Sequence, residues 1–355
     1  MTTAWAGERI RTVRHLLGIS QDQLADAAGV SQALISAVES GNRQATEDLI
    51  AAVQTATATP RSFFDVAPMD LSTGTLRFRK LTNAKRSDTR RTETLVQEAY
   101  RIAGDLLRGE SYRLPSLPQT TETVLSDDVI EGLAVETRDA LGIDADAPVV
   151  HVTRLLERGG IAVAPLVLPG ADVHPDDAVG HFGASLWASP AEHPLVGYFP
   201  TGAGDRQRFT LAHELGHLVL HLGRPRTTDP ELEAHRFAGA FLLPRERMNE
   251  ALGGGVSPLT LRDLAQMKAR WGVSIQAIIM RGSHLGLIDS ARKVSLYKQL
   301  SARGWRRYEP VSVAHEKPEL LRTLLERRYG PNPYRHAEEP LGIQTMVLRS
   351  LAPAA

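Results

Sequence analysis

Apolar positions along this chain change their period from one region to the next, and the changes predict its elements. Residues 9–64 read RIRTVRHLLGISQDQLADAAGVSQALISAVESGNRQATEDLIAAVQTATATPRSFF, with short apolar runs at helical spacing. Ser20 and Ser31 stand where N-caps belong, Leu24 and Ala25 point inward, and Val30 plugs the corner. Gly29 falls where a tight turn needs positive φ, so two short helices there make a helix-turn-helix. ETLVQEAYRIAGDLLRG predicts another helix, and the proline-rich YRLPSLPQT after it marks a domain boundary. SDDVIEGLAVETRDALG is a helix capped by Ser126 and stopped at Gly142. VVHVTRLL, GIAVAPLVL and PLVGYF, bounded by Gly and Pro, read as β-rich pieces. Helical spacing returns in TLAHELGHLVLH, in ELEAHRFAGAFLL, and in three further segments, SPLTLRDLAQMKARWG, SIQAIIMRGSHLG and SARKVSLYKQLSARG. The tail, rich in Pro and Arg, carries no readable pattern.

At 355 residues the chain exceeds the usual size of one core, so several domains are expected. With no cysteine, disulfides and thiolate metal sites are excluded, and any metal must sit on His, Asp or Glu. The longest apolar stretch, IAVAPLVLP, is too short and proline-broken to span a bilayer. The start, MTTAWAGERIRTVRHLL, turns charged within its first eight residues, so no signal peptide is read, a cytoplasmic protein is expected, and no membrane partner. Net charge is zero, yet Arg77 to Arg91 holds seven basic residues against one acid, and Arg262 to Arg335 fifteen against six. Either basic stretch suits a polyanion or a solvated helix face equally.

The candidate chemistry lies in TLAHELGHLVLH. Residues four apart share a helix face, so His213 and His217 can offer two imidazoles to one ion, with Glu214 on the flank to take a proton from water. Leu211, Leu215, Leu218 and Leu222 give that helix an apolar face. His221 continues the row about 12 Å along the axis from His213, too far for the same ion, and is expected at the surface or behind a ligand. The third ligand is sought in ELEAHRFAGAFLL, whose buried face is marked by Ala234, Phe237, Ala238 and Phe241. Glu231 lies on that side and is the chosen ligand. Glu233 lies on a different stripe and stays the alternative, or the acceptor behind a ligand. Two carboxylates at a helix start can also simply favour the helix dipole.

Residues 9–64, with SQxxLA, GVSQxxIS and ExG, resemble the lambda-repressor-like, or XRE-type, DNA-binding domain. The resemblance implies that Ser31 opens the recognition helix and that Gln32, Ala33, Ser36 and Ala37 face base edges of double-stranded DNA. It places Ser20, Gln21, Asn42 and Arg43 at phosphates, and pairs Glu39 internally with Arg14. Ala33 and Ala37 are too short for bidentate base contacts, and residues 1–65 hold five basic against seven acidic side chains, so modest affinity is expected.

RQRFTLAHELGHLVLH followed by ELEAHRFAGAFLLP resembles the ImmA/IrrE family of zinc metallopeptidases, which often carry an XRE-type domain ahead of the peptidase. His235 departs from the family's usual Asn or Asp. The resemblance implies an α+β multidomain fold. It comprises an all-α helix-turn-helix domain at 1–66, a basic helical linker at 67–121, a zincin-like metallopeptidase domain at 122–290 with a small sheet on the HExxH helix, and a helical region at 291–355. It implies Zn²⁺ on His213, His217 and Glu231, Glu214 as catalytic base, and His235, Tyr198 or His181 as oxyanion donor. PLVGYF is expected to present its edge to an extended peptide. The expected function is a regulatory endopeptidase that cleaves a repressor or related protein in a stress or mobile-element response, acting as a homodimer on DNA. The alternative is a DNA-binding regulator whose peptidase-like domain senses metal or ligand without cleaving; the lack of a secretion signal disfavours a digestive protease.

Overall fold

The computed structural model describes residues 5–69, 76–78, 86–110, 112–167, 183–200, 202–224, 229–253 and 259–354. Its N-terminal helices are α1 (Ala6–Leu17), α2 (Gln21–Ala28), α3 (Gln32–Glu39) and α4 (Glu47–Thr57). Ser20 and Gln23 form a reciprocal capping box at α2, Ser31 caps α3, and Gly29 makes the turn between them at φ 66°. Ile10, Val13, Leu16, Leu24, Ile35, Ile50 and Val53 fill the interior.

The expected linker is not a linker. Its residues form α5 (Arg86–Leu107), whose Leu95, Val96, Ala99, Ile102, Ala103 and Leu106 make a buried stripe in the same core as α1. Arg9 of α1 is 1 % exposed, donates to the Phe63 carbonyl at 2.9 Å and pairs with Glu98 of α5. Breaking that pair would leave a buried charge at a cost of about 3–5 kcal/mol, so it fixes α5 against the helix-turn-helix. The tail also folds, as α14 (Leu320–Tyr329), α15 (Pro333–Leu341) and α16 (Thr345–Leu351). Gln344 donates to the Thr57 carbonyl at 2.7 Å and to Thr59 at 2.8 Å, and Ser62 donates to Glu339. The tail's leucines complete the core begun by α1–α5.

A four-stranded sheet lies beneath, in the order β1 (Leu76–Phe78), β3 (Gly183–Leu186), β4 (Leu195–Tyr198), β2 (Ala162–Pro165). Strands β2 and β4 are parallel; the other pairs are antiparallel. Ala162, Ala164, Ala184, Leu186 and Leu195 face the first core, while Val163, Val196 and Tyr198 face a second. A sheet covered on both faces accounts for strands that read as continuous apolar runs.

The second core gathers α6 (Asp127–Ala140), α7 (Val152–Arg158), α8 (Gly204–His221), α9 (Pro230–Leu242), α10 (Arg245–Leu252), α11 (Leu261–Trp271), α12 (Ile275–His284) and α13 (Ser290–Ala302). VVHVTRLL, expected as β-rich, supplies α7. The His151 ring accepts from the Arg154 amide at 3.1 Å and caps it, and Val152 and Leu156, one turn apart, are both buried. The body also runs past residue 290: Leu296 and Leu300 of α13 enter its core, Glu309 holds Lys268 at 2.8 Å, and Glu316 pairs with Arg208. No helix among the described residues is long and apolar enough to cross a membrane.

Candidate metal centre

Helix α8 is central rather than peripheral: from Gln207 to His221 every residue is buried. A helix that places five ionisable side chains, Arg208, His213, Glu214, His217 and His221, in such surroundings must partner them locally. Helix α9 packs beside it. The two approach closely because position 216 is glycine; a Cβ there would lie 3.0 Å from the Phe237 ring and 3.2 Å from the Ala234 carbonyl oxygen. Asp229 caps α9 through the Leu232 amide at 3.0 Å, with Pro230 opening the helix, which sets Glu231 in its first turn.

Glu231 Oε2 is 3.3 Å from His213 Nε2 and Oε1 is 3.4 Å from His217 Nε2. One ligand atom from each of the three residues lies within 4.8 Å of the others. The His213 Nε2 atom is buried without a hydrogen bond, as a nitrogen reserved for an ion would be. Two imidazoles and one carboxylate form a donor set suited to zinc with a position left open. Burial works to raise the Glu231 carboxyl, but the two imidazoles outweigh it and hold the group well below the usual carboxylate range.

Behind the ligands runs a polar chain. The Nδ1 atoms of His217 and His221 are 2.9 Å apart, His221 Nε2 is 2.8 Å from Glu233 Oε2, and Arg224 donates to that same oxygen at 2.9 Å. His221 is thus 2 % exposed and stands behind His217, not at the surface. Glu233 belongs to this chain and not to the three-residue cluster. Burial alone would raise its carboxyl, while Arg224 and then His221 lower it further than burial raises it. Arg224 carried no signal in the sequence, because it lies beyond the end of α8 and reaches Glu233 only through the tertiary fold.

Glu214 lies against β3. A Cβ on Gly183 would fall 2.6 Å from Glu214 Cγ and 2.8 Å from Cδ, so only glycine admits the carboxylate there. Ser185, two residues on and facing the same side, is buried and its hydroxyl makes no hydrogen bond; sequence reasoning had not singled it out. Of the oxyanion candidates, Tyr198 sits opposite Gly183 in the sheet and is pushed up to about 12, mainly by burial, with a hydrogen bond from Gln207 acting the other way. His235 lies against Phe209, ring centroids 4.9 Å apart and planes tilted by 51°, at the wall of a cavity of about 250 Å³. His181 lies outside the described residues. The expectation for PLVGYF is corrected: β4 is paired on both sides, and the strand beside Glu214 is β3, whose outer edge pairs with β1.

In the N-terminal domain, Ser20, Ser31, Gln32, Ala33, Asn42 and Arg43 are exposed, and Gln21, Ser36 and Ala37 half-buried. The Arg14 guanidinium grips Glu39 at 2.6 and 2.7 Å, Gln21 donates to Glu39 at 2.8 Å, and Gln32 donates to Gln21 at 2.9 Å. Glu39 is therefore an internal anchor. Of the Arg77 to Arg91 run, residues 79–85 lie outside the described residues.

A family model for the IrrE N-terminal-like domain matches residues 160–283, and one for the helix-turn-helix matches residues 10–64. The chain thus joins a helix-turn-helix domain of the XRE type to an ImmA/IrrE-like domain of metallopeptidase-like fold. The first of these implies DNA binding. A search of curated proteins gives no match.

Proposed function

We propose that this chain is a regulatory zinc endopeptidase carried on a DNA-binding domain, and that it cleaves a repressor or another regulatory protein. The observation that carries the reading is the convergence of His213, His217 and Glu231 within 4.8 Å, with Glu214 held apart from them against β3. Zinc bound there would supply Lewis acidity toward a peptide carbonyl and toward water. Glu214 takes the proton of the attacking water and passes it to the departing amine, so one water is consumed as one C–N bond breaks. The helix-turn-helix gives the activity an address. Ser31, Gln32, Ala33 and Ser36 face the groove, Gln21 and Arg43 the phosphates, and a homodimer on paired half-sites would bring the site to promoter-bound protein.

A second reading is favoured by one observation, the closed outer edge of β3. In it the chain is a DNA-binding regulator whose peptidase-like domain senses metal or ligand and does not cut. Elemental analysis of wild type, His217→Ala and Glu231→Ala tests the centre: one zinc per chain, lost in both variants, is expected. Sequencing protein N-termini in a lysate treated with zinc-loaded wild type or Glu214→Gln then separates the readings. New termini made by the wild type alone support the peptidase; identical sets leave the non-cleaving regulator.

A further inference from the structure

The sheet edge beside Glu214 is where an extended peptide could add as a strand, and the chain has filled it with its own residues. Strand β3 has β4 on one side and β1 on the other, with Leu76 opposite Leu186, Arg77 opposite Ser185 and Phe78 opposite Ala184. Gly183, the residue that abuts Glu214, follows immediately in that register. The pairing therefore ends one position short of the catalytic carboxylate. An unpaired strand edge is a ready template for another strand, whichever chain supplies it.

We propose that the outer edge of β3 is the docking edge for a protein substrate, and that Leu76–Phe78 is its resident occupant, a strap the substrate must displace. The proposal rests on the peptidase reading above. Three features support it. Among the described residues the strap is three long and pairs with β3 alone, so at roughly 1 kcal/mol per bond a longer incoming strand can outcompete it. Its sequence, Leu-Arg-Phe, sets a cationic residue between two apolar ones, and the strand it pairs with carries Gly183, against which the Glu214 carboxylate lies. It also lies between the helix-turn-helix and α5, whose buried face is fixed to that domain. Removing the strap from β3 thus changes a segment that joins the DNA reader to the sheet. The occupant indicates the class of segment the edge takes: extended, with apolar and cationic residues alternating.

The test uses the full chain with Arg77→Pro and Phe78→Pro together. Successive N–H groups of a strand point to opposite edges, so the pair removes whichever donor faces β3. The probe is a fluorescein-labelled STGTLRFRKLT peptide, the sequence of residues 72–82. Fluorescence anisotropy is expected to show binding to the double variant at least about tenfold tighter than to wild type, because the competing internal strand is gone. Equal binding to both, or none to a variant that circular dichroism shows to be folded, overturns the strap. Hydrogen exchange on the unaltered protein needs no variant. The β3 amides that point away from β4 should be protected, and exchange at the rate of an open loop overturns the proposal. Failure of the parent reading looks different: the peptide binds the opened edge, yet no protein terminus depends on Glu214.

Discussion

The Nδ1 atom of His217 lies 2.9 Å from Nδ1 of His221. One of the two must carry the proton, and the rest of the chain decides which. Glu233, gripped by Arg224, only accepts, so His221 Nε2 bears its hydrogen and leaves Nδ1 as an acceptor. His217 then donates from Nδ1, and its Nε2 lone pair faces Glu231 and the metal position. His221→Ala removes this orienting acceptor. Zinc affinity, measured by competition with a chromophoric chelator, is expected to fall by about 10–100-fold. His221→Gln, whose amide can both accept and donate, should recover part of the loss. Unchanged affinity in a folded His221→Ala protein would show that the chain does not position His217.

Gly183 and Glu214 make a second test, because the glycine's missing side chain is what gives the carboxylate its place. Gly183→Ala puts a methyl 2.6 Å from Glu214 Cγ, and either the strand or the carboxylate must move. A displacement of about 1 Å at a reacting group costs on the order of 100-fold in rate. Zinc content should stay at the wild-type level, since the three atoms nearest the new methyl all belong to Glu214 and none to His213, His217 or Glu231. Glu214→Gln should behave alike, retaining metal and losing turnover. Loss of zinc in parallel with activity, in either variant, would mean that Glu214 helps to hold the metal.

What was legible in the sequence is what one helix can encode. The His213, Glu214, His217 spacing and the Glu231 side of α9 follow from 3.6 residues per turn, and both faces point where the periodicity put them. What was not legible depends on contacts between distant segments. His221 reads as peripheral until Glu233 and Arg224 close around it. VVHVTRLL looked β-rich from its β-branched residues, and a cap by His151 outweighed that propensity. The tail was expected to be helical, but its three helices could not be placed one by one, with Pro340 inside α15 and arginines such as Arg328 turned to the carbonyls of α5. Strand β1 lacked a partner until β3, more than one hundred residues later, lay beside it.

The helix-turn-helix separates a contact with DNA from a contact within the protein. Arg43 is exposed and placed by the resemblance at a phosphate, so Arg43→Ala should weaken binding to any duplex and lower the slope of log K against log salt by about 1. Glu39→Ala acts otherwise. It leaves Arg14, 14 % exposed, without the carboxylate that holds it, and the domain should lose about 3 kcal/mol while the salt slope of the folded protein stays near the wild-type value. Fluorescence anisotropy on one generic duplex at several salt concentrations, with thermal denaturation alongside, reads both. A changed salt slope in folded Glu39→Ala would place Glu39 at the DNA and not inside the domain.

Glu157 ties the peptidase-like body to the tail, its Oε1 accepting the Glu319 and Leu320 amides at 2.9 Å each where α14 begins. Burial pushes its carboxyl up from 4.5 to about 7; the two amides and Arg154 pull the other way and fall short. A group whose folded value is raised contributes its full stability below the unfolded value and loses it as pH rises through the folded one. The fold should therefore weaken by up to about 3 kcal/mol between pH 4.5 and pH 7 on account of this residue, then change little with it above pH 7. Glu157→Gln keeps an oxygen for both amides and carries no charge. Thermal denaturation should show the variant matching wild type near pH 4 and exceeding it at pH 8, with a flatter profile between. A variant less stable than wild type at pH 8 would mean that the ionised carboxylate, not the neutral acid, is what α14 needs at its first turn.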